Sequence, residues 1–235
     1  LNKNQLAALE TQDIGALGTD SVAALSTTQV LALSTQQLIN LTTDQIAAIE
    51  TQDLQAMRRE QIQALTTAQF RRMSVDQIQA LTTAQVAALE TADLAALDTD
   101  HIASLTTAQV AGLTTTQVAA IETTDLNALK SNQIAALTTS QVAKGLTTDQ
   151  IVGLSTAQIQ NLTTTQIQSL TTDQVAALET TDLNALKTAQ IAALTSTQLS
   201  QGLTTDQLSA LSSTQIGALT SEQVTALTTA QAAAL

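Results

Sequence analysis

Leu81-Thr82-Thr83-Ala84-Gln85-Val86-Ala87-Ala88 is followed at once by another Leu, and the same eight-residue phrase returns along the whole chain. Leu105–Gly112 reads Leu-Thr-Thr-Ala-Gln-Val-Ala-Gly, and Leu170–Ala177 reads Leu-Thr-Thr-Asp-Gln-Val-Ala-Ala. Working outward in both directions, residues 1–235 divide into a single continuous array of 29 octads with the pattern L-T-T-x-Q-[VIL]-A-A. Only two octads are lengthened, each by one glycine, Gly145 and Gly202. Position 1 is Leu except at Ile49, Met57, Met73 and Ile121, and position 6 is aliphatic except at Phe70 and Ala232. A longer period overlies the octad, since residues 113–145 and 170–202 match closely at a spacing of 57 residues.

Three conformations compete for such a unit. A continuous helix turns about 800° in eight residues, so its apolar stripe drifts by roughly 80° per octad and no face stays buried. In a strand, positions 1 and 6 have opposite parity and point to opposite faces. A short helix in every octad remains, and the local chemistry favours it. Leu41-Thr42-Thr43-Asp44-Gln45-Ile46 places Leu at N′, Thr at the N-cap, Gln at N3 and Ile at N4. That is a capping box joined to a hydrophobic staple, with Asp44 well placed near the positive helix end. Position 2 is Ser or Thr in 18 octads and position 5 is Gln in 22. The fold class expected is an all-α solenoid of very short helices, one per octad, with two octads per coil preferred and three as the alternative. One octad cannot bury enough surface alone, so stability has to come from stacking.

Composition sets the function classes. The chain has no Pro, Cys, Trp or Tyr, one Phe and a net charge of −12. Phosphate binding needs clustered Lys and Arg, so nucleic acid is excluded as a partner. No apolar run approaches the roughly 20 residues of a membrane span. Ser and Thr abound, yet there is no nucleophile elbow, phosphate loop or H-E-x-x-H motif, and the single histidine, His101, lacks a second catalytic partner. An enzyme, a cofactor and a small-molecule substrate are therefore not expected. The array opens at Leu1 in phase with its own repeat, as a piece of a longer array or a processed product would.

Candidate sites lie where the pattern breaks. Five octads replace Thr-x-x-Gln by Glu-x-x-Asp: Glu10/Asp13, Glu50/Asp53, Glu90/Asp93, Glu122/Asp125 and Glu179/Asp182. One reading is a set of weak cation sites, because hard ions such as Ca²⁺ take carboxylate oxygens. The other is a changed cap, in which Thr at position 3 becomes the N-cap and both acids favour the helix start. Residues 57–73 hold Arg58, Arg59, Arg71 and Arg72 with Phe70, Met57 and Met73, a candidate docking surface for an acidic partner such as a Glu-rich octad of another copy. His101 stands at position 5 and reads as a surface replacement for Gln.

The L-T-T-x-Q-[VI]-A-A-L pattern resembles the octad arrays of very long repetitive bacterial proteins, many of them secreted or surface-attached. The resemblance covers the whole chain and implies an extracellular or cell-surface location and a structural role. The opening L-T-x-x-Q-V is also similar to the start of TAL-effector DNA-binding repeats, but those are about four times longer and basic, and that likeness is set aside. The expected function is a rod or filament that forms by coil stacking and end-to-end association with further copies. An adhesin or protein-binding scaffold is the alternative, and ice binding, from the regular Thr ladder, a distant third.

Overall fold

A computed structural model describes residues 2–235. Among the described residues there are 28 α-helices of four to six residues, one π-helical segment and no strand. The helices start where the capping box places them, at position 3 of each octad. In the helix Thr43–Ala47, Thr42 accepts the Gln45 N–H at 3.2 Å while Gln45 Oε1 accepts the Thr42 N–H at 2.6 Å. The turn between helices is made by two successive extended residues, Leu41 (φ −63°, ψ 138°) and Thr42 (φ −66°, ψ 160°). No described residue has positive φ, so the chain turns at every octad without a left-handed position. That is why Leu-Thr serves where most tight turns need Gly or Asn.

The described residues fall into two compact units, the first ending at Leu113 and the second running Thr114–Leu235. The division falls between positions 1 and 2 of an octad, with no linker composition to mark it. Inside each unit the side chains at positions 1 and 6 form the core: Ile46, Ile49, Leu54 and Met57 are buried, as are Ile151, Leu154, Ile159 and Leu162. Burying each such aliphatic is worth roughly 1.5–3 kcal/mol.

Each helix packs on the helix three octads away: Thr43–Ala47 on Thr67–Arg72 in the first unit, and Thr164–Ser169 on Thr188–Ala193 in the second. The coil therefore holds three octads, the alternative expected, and the preferred geometry of two is corrected. Hydrogen bonds define the coil more closely. Gln45 reaches the carbonyl of Leu17, 28 residues back, and that of Ile14, 31 residues back. Ile14 stands at position 6 of one octad and Leu17 at position 1 of the next, so the helix start lies across the junction of two octads below it.

The two extra glycines are absorbed as π-type bulges, each one residue longer than an α-turn. The Leu146 N–H reaches the Gln141 carbonyl at 2.9 Å, and the Leu203 N–H reaches that of Gln198 at 3.0 Å. Across the first bulge the donor register lengthens to 29 and 32 residues, from Gln150 to Ile121 and Val118. A Cβ at Gly145 would stand 2.5 Å from the Gln141 carbonyl and 3.1 Å from the Val118 Cβ, so glycine is required here by closeness and not by φ.

Candidate functional site

The recurring feature with most chemistry is the seat at position 5. A glutamine there spends its Oε1 on the N-cap of its own helix and its Nε2 on the coil below. Gln69 accepts the Thr66 N–H at 2.7 Å and donates to Leu38 and Leu41 at 2.9 and 2.7 Å. Gln166 accepts the Thr163 N–H at 2.7 Å and donates to Ile134 and Leu137 at 3.0 and 2.7 Å. The ladder recurs from Gln37 to Gln109 in the first unit and from Gln150 to Gln231 in the second. These amides are buried, with Gln69 and Gln166 each 2% exposed, and they meet carbonyls that the short helices and turns leave open. One side chain thus caps a helix and joins two coils.

Where position 5 is Asp, the chemistry inverts. A carboxylate only accepts, and its partner is a threonine hydroxyl at position 3 of the octad three below. Thr27 donates to Asp53 at 2.6 Å, Thr67 to Asp93 at 2.6 Å and Thr156 to Asp182 at 2.8 Å. Burial pushes the carboxyls of Asp93 and Asp182 above their ordinary value of 3.8; the threonine bond opposes the rise, and the negative Glu90 or Glu179 adds to it. The expected takeover of the cap by Thr at position 3 does not occur. Glu10, Glu50, Glu90, Glu122 and Glu179 are themselves the N-cap residues, extended and without a side-chain cap bond, and Thr at position 3 is the first helical residue. The core residues at positions 1 and 6 hold that register whatever occupies position 2. Asp13 is exposed, and Asp125 is buried. No group of three or more His, Cys, Asp or Glu able to hold a metal exists among the described residues, so the Glu/Asp pairs are not gathered into cation sites.

His101 is 6% exposed, which corrects its reading as a surface residue. It occupies the glutamine seat, with Nε2 2.8 Å from the Met73 carbonyl 28 residues back. A carbonyl only accepts, so Nε2 carries the proton. Nδ1 lies 2.7 Å from Asp98 Oδ1 without the geometry of a hydrogen bond, and that oxygen already accepts the His101 N–H at 3.0 Å.

The basic stretch at 57–73 is not one patch. Arg72 pairs with Asp44 at 3.1 Å, 28 residues down, and the Arg71 Nε donates to the Ala96 carbonyl at 3.1 Å. Arg58 and Arg59 stand at the start of one helix, whereas Arg71 and Arg72 close the next, Thr67–Arg72. Phe70 is fully buried at position 6, among the core and away from any partner, which removes it as a docking residue. Arg58 and Arg59 remain exposed, at the N-cap and first position of the helix Arg59–Gln63.

Open depressions are shallow and mostly uncharged. One of about 460 Å³ is lined by Ser196, Ser221, Glu222, Thr225 and Ala226, with a single ionisable group. Another of about 380 Å³ is lined by Leu6, Leu17, Ser21, Ala24, Leu25 and Gln29. Among the described residues no helix is long and apolar enough to cross a membrane. The model of the ALTTAQ repeat matches in seven tandem segments: residues 6–43, 46–85, 86–120, 118–156, 151–180, 175–213 and 201–235. No curated protein matches the chain.

Proposed function

The chain belongs to the ALTTAQ repeat family, and we propose that its role is structural and not catalytic, as a rod- or filament-forming scaffold outside the cell or at its surface. The observation that carries this reading is the position-5 seat. Each coil has one face of glutamine amides and one face of backbone carbonyls, and the same pair of faces meets again and again within each unit. A coil so built is complementary to a further coil of its own kind, whether that coil comes from the same chain or from another copy. Association is then head to tail, a heterologous contact that lengthens the rod. Electron microscopy of the purified 235-residue protein across a concentration series, with light scattering on the same samples, tests this. Filaments many times longer than one chain, lengthening with concentration, are expected. Particles of one-chain mass at every concentration would overturn end-to-end growth.

A protein-binding module is the second reading, and one observation favours it. Arg58 and Arg59 put positive charge at a helix start, where the dipole disfavours it, and neither forms an ion pair among the described residues. An acidic partner would relieve that placement. Binding of acidic peptides that disappears in Arg58→Thr/Arg59→Thr would move the weight to this reading.

A further inference from the structure

The Glu-x-x-Asp octads leave something undone that the glutamine octads complete. In the register by which Gln69 and Gln190 donate 28 residues back, the carbonyls that a glutamine would reach from the seats of Asp93 and Asp182 are those of Leu65 and Leu154. Among the described residues neither carbonyl receives a side-chain N–H, and a carboxylate has none to give. Both aspartates are buried, and the only side-chain donor each is seen to hold is the hydroxyl of Thr67 or Thr156.

We propose that these octads are acid-closed joints: protonation of Asp93 and Asp182 supplies the hydrogen-bond donor that glutamine provides elsewhere, so the coils bind one another more tightly as pH falls. The proton goes to the carboxyl oxygen not engaged by threonine, and the neutral acid can then donate to the open carbonyl while still accepting from the hydroxyl. The surroundings favour uptake. Asp93 has Glu90 on its own helix; the helix packed against it, Thr67–Arg72, carries Arg71 and Arg72, which are engaged by the Ala96 carbonyl and by Asp44. Asp182 has Glu179 on its own helix, no ionisable group on Thr156–Gln160, and Asp206 on Thr205–Ser209. The upward displacement of both carboxyls has the matching sign. A carboxyl raised in the folded state contributes stability that is full below its ordinary value of 3.8 and is lost as pH rises through the folded-state value.

The test is thermal unfolding of the full chain between about pH 7 and about pH 4, for the wild type, for Asp93→Asn/Asp182→Asn, and for Asp149→Asn/Asp173→Asn. The last removes the same charge from exposed positions. The buried pair of asparagines is expected to raise the midpoint near neutrality by about 2–4 °C or more. That gain is expected to vanish toward the acid end, where the wild type closes its own joints. The exposed pair should give a flat or opposite difference. Equal pH profiles for the two variants would overturn the proposal. Carbon-detected NMR of the wild-type carboxyls gives a second readout that needs no variant: Asp93 and Asp182 titrating at or below ordinary aspartates would overturn it as well.

Discussion

Replacing Gln166 by Glu changes one NH₂ to an oxygen and tests the glutamine ladder at a single seat. In the wild type, Gln166 is 2% exposed, accepts the Thr163 N–H at 2.7 Å, and donates to the carbonyls of Ile134 at 3.0 Å and Leu137 at 2.7 Å. Glutamate keeps the accepted bond and loses both donations, and its carboxylate then faces two carbonyl oxygens. Each buried carbonyl left unsatisfied costs about 1–3 kcal/mol, and the charge adds to that. A loss of about 3–5 kcal/mol is therefore expected for Gln166→Glu near neutral pH, against about 1 kcal/mol for removing only the cap hydroxyl in Thr163→Ala. For a chain of this size the first corresponds to a fall in midpoint of about 6–20 °C. Because coupling in a repeat array runs between neighbours, hydrogen exchange should show the loss of protection concentrated in the helices from Ser131–Ile134 to Thr164–Ser169. The deficit should shrink on acidification, as the buried glutamic acid takes up a proton and regains a donor. If Gln166→Glu is no more damaging than Thr163→Ala, the ladder is a packing coincidence and the account of coil joining given above fails.

Further outcomes follow from single seats. Gly145→Ala should cost about 2–4 kcal/mol in denaturant unfolding, because its Cβ meets the Gln141 carbonyl at 2.5 Å, whereas Gly18→Ala, with nothing within 4 Å, should stay within about 1 kcal/mol. His101→Gln returns the seat to its usual occupant and should stabilise by about 1 kcal/mol, because Oε1 can accept the Asp98 N–H whereas the imidazole Nδ1 accepts no hydrogen bond. Phe70→Ala should lose about 3–5 kcal/mol and Phe70→Leu less than about 1.5 kcal/mol, since the ring is fully buried and makes no polar contact. Arg58→Thr should stabilise by about 0.5–1 kcal/mol through a regained N-cap; a loss would mean that the arginine makes a contact within the fold.

The octad, its helix start and its core positions were legible because they are local. Leu, Thr, Gln and Ile at 41, 42, 45 and 46 state a capping box and a staple within six residues, and the structure places each at its expected position. The coil was not legible for the same reason: nothing inside an octad says which other octad lies beneath it. One signal was available. A capping box employs only the Oε1 of Gln45, and the two N–H groups of its amide had no stated partner. A repeat that keeps glutamine where glutamate would cap equally well is asking for a donor, and the carbonyls of Ile14 and Leu17 are what it finds. Placing that position on the surface then carried the misreading of His101 with it. The basic stretch misled differently, because proximity along 57–73 is not proximity around a coil of three octads.

Seating each helix start over the junction of two octads below has a consequence for growth. Successive coils are laid like bricks in running bond, each joint bridged by a whole unit in the course above, so no seam runs through the wall for it to split along. The offset also makes some insertions harmless and others disruptive. Adding one octad turns everything beyond it through roughly a third of a circle, whereas adding three completes a course and returns every later side chain to its former bearing. The internal duplication, 57 residues including one bulged glycine, is two courses and one octad more, and it carries Glu122, Asn127 and Lys130 to Glu179, Asn184 and Lys187. A gene that lengthens by this step extends the masonry while turning each new copy of a face about a third of the way round from the last.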